Sequence, residues 1–256
     1  MPTVLITGGS VGIGAAFARS LASRGDDLVL VARDAGRLEE SAVSLRRRHG
    51  VLVDTLVADL GDRAEVQRVA DRLSDPTRPV DLLVNNAGFG VATRLTDADL
   101  SQIERGLDVM CRAVLVLGGA AGAAMRERGH GAIVNVSSVA GFATMGGYSA
   151  IKAWVTSYTE GLANELSGTG VTATALCPGF VRTEFHRRAG INMSTFPEIG
   201  WLDVDEVVAT CLRDVARGRV VSIPTRRYWA VSMLARHAPR PLVRRVSRAI
   251  SSARQH

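Results

Sequence analysis

The chain has 256 residues, 46% of them apolar, with 26 glycines, which suits one α/β domain with a sizeable core and argues against disorder. Three cysteines, Cys111, Cys177 and Cys211, form no CxxC pair and no metal-ligand spacing, so they read as small buried hydrophobes in a reducing compartment and no metal site is expected. The net charge of +6 is uneven: Arg226 to His256 holds eight arginines and no acidic residue, so the basic character belongs to the tail and does not make the whole chain a nucleic-acid binder.

The N-terminus "MPTVLITGG" lacks a basic stretch followed by a signal core, and the expected location is cytoplasmic. Its first strand, "TVLIT" (3–7), runs into "TGGSVGIG" (7–14), which opens a helix. Gly8, Gly12 and Gly14 in that turn let a backbone approach a pyrophosphate, and the helix N-terminus favours its negative charge. Ser10 and Ile13 stand in the same turn. The second strand, "DLVLVA" (27–32), ends at Ala32 and Arg33. An NAD enzyme wants a carboxylate there; an arginine suits a 2′-phosphate, with Arg37 assisting one helical turn on. This favours NADP(H) over NAD(H). Asp34 stands at an expected N-cap, where Arg37 would be an ordinary helix-start charge instead.

Further strands are expected at 51–58, 80–86, 131–138, 171–178 and 219–224, with amphipathic helical stretches between. Most are apolar with little alternation, as parallel strands covered on both faces require. The pattern predicts a Rossmann-like doubly wound parallel sheet of about seven strands in a single domain over 1–225, followed by a basic helical C-terminal extension over 226–256. The apolar run 113–125 reads as a buried helix rather than a membrane span.

"YSAIK" (148–152) contains the only lysine in the chain. On a helix Tyr148 and Lys152 share a face. A free tyrosine ionises near about 10, too high for efficient proton exchange near neutrality, and a neighbouring ammonium draws that value down. The ammonium also donates to ribose hydroxyls, where arginine's planar fork fits poorly.

Taken in order, "TGGSVGIG", "NNAG" (85–88), the serines 137–138, "YSAIK" and "PGFVRT" (178–183) resemble the short-chain dehydrogenase/reductase family over roughly 3–225. The resemblance implies hydride transfer between a nicotinamide and a carbonyl or alcohol. It implies catalytic roles for Ser138, Tyr148 and Lys152. It places Asp59 and Leu60 at the adenine, and Asn86, Ala87 and Gly88 along the ribose and central strand. Pro178, Gly179, Val181 and Thr183 would hold the carboxamide. It also implies a homo-oligomer.

Two features depart from the family pattern. The Ser138–Tyr148 connection is short, and Met110 stands where the family has an asparagine that relays protons through the lysine. The alternative to an active ketone or 3-oxoacyl reductase is therefore a nucleotide-binding regulatory protein with little turnover. His186 reads as a pocket or surface residue in a lid over 185–201, which fits a moderately apolar, lipid-like ketone. The tail 239–256 sets Leu242, Val243, Val246 and Ile250 near one helical face, with Arg244, Arg245 and Arg248 off it. That suits docking on the domain, a subunit interface, or weak contact with an anionic membrane.

Overall fold

Apolar, β-branched segments pair side by side into a parallel sheet because both of their faces are apolar. In this computed structural model, which describes residues 1–185 and 198–253 with side chains through residue 248, the strands are β1 (Thr3–Thr7), β2 (Asp27–Ala32), β3 (Val53–Val57), β4 (Leu82–Asn85), β5 (Gly131–Val136), β6 (Val171–Leu176) and β9 (Val221–Ser222). They form one seven-stranded parallel sheet in the order β3-β2-β1-β4-β5-β6-β9. The expected sheet is present, with strand ends up to two residues shorter than the apolar runs. β1 pairs with both β2 and β4, so the order reverses there and opens a crevice at the strands' carboxyl ends.

Alternation along the strands sends Val4 and Ile6 to one face and Leu5 to the other. The first face is covered by α1 (Gly12–Ala22), α2 (Ala35–His49) and α7 (Val204–Ala216). The second is covered by α3 (Arg63–Ser74), α5 (Ala113–Arg128) and α6 (Gly147–Glu165). Side chains cap three of these helices: Asp34 caps α2, Asp62 caps α3 and Asp203 caps α7. α1, by contrast, opens from Val11 with no side-chain cap.

α4 (Ser101–Leu107) runs through a π-helical turn, Asp108–Arg112, straight into α5. The combined helix is long and apolar enough to cross a membrane by length and composition, yet half of its most apolar window is buried in the protein. The π turn turns Val109, Met110 and Cys111 inward together.

Beyond the sheet, β7 (Phe180–Val181) and β8 (Trp201–Leu202) form a small parallel ribbon that the sequence pattern did not reveal. Two residues per strand are too few to leave a periodic signal. The chain ends in α8 (Arg226–His237), capped by Thr225, and α9 (Arg240–Ala253). Ala238 is extended before Pro239, as a residue preceding proline prefers, and this separates the two helices.

Candidate active site

The glycine turn is built by backbone sterics. Gly8 and Gly12 have φ of +66° and +56°, where a side chain is strained. A Cβ on Gly14 would lie 2.2 Å from the Gly8 carbonyl oxygen, so only glycine lets α1 close on the turn. The turn is braced from β4. Asn86 Nδ2 donates to the Thr7 and Gly8 carbonyls at 3.0 and 3.2 Å, and the Asn86 and Ala87 amides donate to Thr7 Oγ1 at 2.9 and 3.0 Å. Asn85 instead donates to the Asn135 side chain, which donates to Thr159, inside the core.

A cavity of about 1470 Å³ opens over this turn. Gly8, Ser10, Gly12 and Ile13 line one end. Arg33, Arg37, Asp59, Leu60, Asn86, Ala87 and Gly88 also line it. Arg33 is exposed and near enough to Asp59 to favour its ionised form, while Arg37 pairs with Asp34 at 3.3 Å. Burial pushes the Asp59 carboxyl up, but the Gly61 amide and the Arg105 guanidinium outweigh it and hold the carboxyl below its usual value. Arg105, on α4, was not anticipated, because a contact spanning 46 positions leaves no local mark in the sequence.

At the far end β5 stops at Val136, two residues before Ser138. Ser137 is buried, donating to the Lys152 carbonyl at 2.7 Å and sharing a hydrogen bond with Thr156. Ser138 points the other way, into the cavity, and caps a 3₁₀ turn (Val139–Phe142) by accepting from the Ala140 amide at 3.1 Å. Tyr148 lies in the first turn of α6, and Lys152 one turn on. Phe185 leans over the phenol with ring centroids 5.9 Å apart.

The electrostatics differ from the sequence expectation. Burial pushes the Tyr148 phenol above its ordinary range, and a hydrogen bond with Ser138 pulls it only part of the way back. The Lys152 ammonium donates to the Val136 carbonyl at 2.8 Å and lies 5.7 Å from the Tyr148 ring centroid. Burial lowers Lys152 itself to about 8, with Cys111 and Cys177 opposing. Met110 fills the space beside them: a Cβ on Gly88 would sit 3.0 Å from its sulfur and 3.8 Å from Lys152 Nζ.

Thr183 faces Gly12 across the crevice, its Cβ 3.6 Å from where a Gly12 Cβ would stand. Pro178, Gly179 and Val181 line the same wall. Gly179 has an unforeseen reason to be glycine, since a Cβ there would meet the Tyr228 ring at 2.1 Å. Tyr228 comes from α8, donates to the Gly200 carbonyl at 2.7 Å and accepts from the Phe180 amide at 3.3 Å. His186 and residues 186–197 of the expected lid lie outside the described residues, as does the side chain of Ile250. Leu242, Val243 and Val246 of α9 line the cavity, with Val243 buried and Leu242 and Val246 about half exposed.

These features fit a dinucleotide. The uncapped start of α1, the Cβ-free turn and an arginine at the end of β2 gather on one side of the crevice, and the Ser138, Tyr148 and Lys152 cluster stands at its other end. Residues 2–193 match the profile described as short chain dehydrogenase. A short-chain dehydrogenase from Sphingobium yanoikuyae, solved in complex with NADPH, is 41% identical, with a TM-score of 0.84 over 91% of this chain and 93% of that one. A bulky-bulky ketone specific alcohol dehydrogenase from Comamonas testosteroni is 35% identical, with a TM-score of 0.80 and 92% of each chain covered. Sulfoacetaldehyde reductase 2 of Chromohalobacter salexigens is 37% identical over 244 residues, covering 89% of this chain and 96% of the relative. Sequence motifs, sheet order, site geometry and these likenesses agree, and the chain belongs to the short-chain dehydrogenase/reductase family of Rossmann-fold oxidoreductases.

Proposed function

We propose that the protein is an NADP(H)-dependent oxidoreductase that interconverts a ketone, or a 3-oxoacyl group, and the matching secondary alcohol. The observation that carries this reading is the single cavity joining an anion-ready helix start and Arg33 to the Ser138–Tyr148 pair. The NADPH-bound relative and the ketone-specific relative support the cofactor and the reaction class.

Gly8, Ser10, Gly12 and Ile13 would hold the pyrophosphate, with Gly14 buried behind them against the Gly8 carbonyl and outside the cavity lining, and Arg33 with Arg37 would hold the 2′-phosphate. Asp59 and Leu60 would border the adenine, and Asn86, Ala87 and Gly88 the ribose. Pro178, Gly179, Val181 and Thr183 would border the nicotinamide. When bound, the nicotinamide supplies or takes up the hydride. Ser138 orients the substrate oxygen. Tyr148, kept protonated by burial, delivers a proton to that oxygen in reduction and recovers it in oxidation. Lys152 presents a buried ammonium beside the phenol and the ribose. With Met110 walling its inner side, the proton must be replenished through the open cavity.

Tyr148→Phe tests this assignment. Turnover of a ketone panel with NADPH should fall by about 10²–10⁴-fold while NADPH binding persists. Undiminished turnover would remove Tyr148 from proton transfer. If the wild type binds NADPH and turns over no ketone, the nucleotide-binding regulatory reading takes its place.

A further inference from the structure

The cavity, about 1470 Å³, runs from the glycine turn past Tyr148 to the C-terminal helices. Its second end is apolar and is made by the C-terminal helices. On α8, Val231 and Leu234 line it; on α9, Leu242, Val243 and Val246 do so from one helical face. Across from them stand Val139, Ala140, Ala143 and Met145, all from the short connection between Ser138 and Tyr148.

The wall is fastened to the loop it faces. Ser247, 3% exposed, accepts a hydrogen bond from the Thr144 amide at 3.1 Å. Arg236 pairs with Glu160 at 2.6 Å and ties α8 to α6. Yet Val231, Leu234, Leu242 and Val246 remain 61%, 70%, 51% and 50% exposed. Apolar side chains held in place around one cavity and left half uncovered form a receptor for an apolar group. The charge distribution agrees. Among the described residues, the arginines that line the cavity are Arg33 and Arg37, at the glycine-turn end, and Glu184 lies on the substrate side. Arg244, Arg245 and Arg248 are exposed and do not line it.

We propose that α8 and α9 form an apolar chamber beside Tyr148 that takes the hydrocarbon arm of an uncharged ketone, or of its secondary alcohol, and that the Ser247–Thr144 hydrogen bond holds this wall in register. The proposal rests on the oxidoreductase reading above and adds the substrate class and the residues that select it.

The test is a series of 2-alkanones from butanone to undecanone with NADPH, using the full chain. In the wild type kcat/KM should rise with chain length, by up to about fourfold per methylene buried. Val246→Asn should flatten that slope, lowering the undecanone-to-butanone ratio at least about tenfold. Ser247→Ala should lower the same ratio by loosening the wall, and Leu242→Asn replaces Val246→Asn should the latter fail to fold. A flat wild-type series, an unchanged ratio in all variants, or sulfoacetaldehyde outperforming 2-undecanone would overturn the chamber. Calorimetric binding of 2-undecanone separates this from the activity reading. If no ketone is reduced, the oxidoreductase assignment falls, while binding by the wild type that weakens in Val246→Asn keeps the chamber, and no binding removes it.

Discussion

The two ends of the cavity are specified in different ways. The cofactor end is written in backbone: Gly8 and Gly12 in left-handed conformations, and Gly14 pressed against the Gly8 carbonyl. The substrate end is written in side chains drawn from segments as far apart as Thr144 and Ser247. A backbone constraint admits few residues, so it yields a motif. An apolar wall admits any hydrophobe of suitable size, so it yields only a helical pattern. A change at the first end should therefore fail sharply, and one at the second should retune.

Gly14→Ala should have the largest effect. Its methyl group would clash with backbone, which cannot rotate away, and with Asn86 Nδ2 at 2.5 Å. We expect NADPH affinity to fall more than about a hundredfold, with overpacking costing about 1–3 kcal/mol of stability. Titration of NADPH fluorescence against a urea melt separates the two effects. Unchanged affinity in a folded variant would break the claim that this end is fixed by backbone.

Arg33→Asp comes next. Losing a charge-assisted contact costs about 1.5–3 kcal/mol, which is roughly 10- to 150-fold in NADPH affinity. NADH affinity should hold or rise, since the new carboxylate can accept from a ribose hydroxyl. Parallel titrations decide it, and equal losses for both cofactors would make Arg33 a structural residue.

Gly179→Ala probes the other end. Its methyl group meets the Tyr228 ring, so α8 must shift. We expect KM for a ketone to rise about tenfold, with NADPH affinity falling less than in Gly14→Ala, because Gly179 borders the nicotinamide but the displaced wall is a side chain that can move. Equal effects on both ligands would erase the contrast between the two ends.

Legibility followed the same division. Strands β1 to β6, the glycine turn and the Tyr148–Lys152 pair were visible because each leaves a local periodicity or a restricted residue. The β7–β8 ribbon, the Arg105–Asp59 pair and the Tyr228–Gly179 packing were not, because each joins distant segments through residues that are ordinary in their own neighbourhoods. The tail shows the boundary: the apolar face of α9 was readable from spacing, but its partner was not, and the cavity lies where an interface or a lipid surface was also open. The Tyr148 phenol departs from expectation because spacing along a helix says nothing about burial, which raises the phenol and lowers Lys152.

A last prediction concerns Lys152 and pH. Burial lowers it to about 8, whereas an unfolded lysine titrates near about 10.4. Between these values the unfolded chain binds the extra proton, so the folded state gains stability as pH rises. Below about 8 both states are charged and the burial cost is present in full. Urea midpoints of the wild type and Lys152→Met should therefore converge, or shift in the wild type's favour, on going from pH 7 to pH 10, by on the order of 1–3 kcal/mol. A difference independent of pH would mean that the ammonium is not desolvated as described.

The central claim is that one cavity brings a nicotinamide's hydride and the Tyr148 proton to the same carbonyl group. Its most direct measurement follows the hydride. NADPH carrying deuterium on one or the other face of the nicotinamide C4 is incubated with 2-undecanone, and the alcohol is analysed by mass spectrometry for wild type and Tyr148→Phe. The account predicts one deuterium at the carbinol carbon per NADPH oxidised with one of the two labelled faces, and near-complete loss of labelled alcohol in Tyr148→Phe. NADPH oxidation without label in the alcohol from either face, or equal labelled product from both proteins, would contradict it.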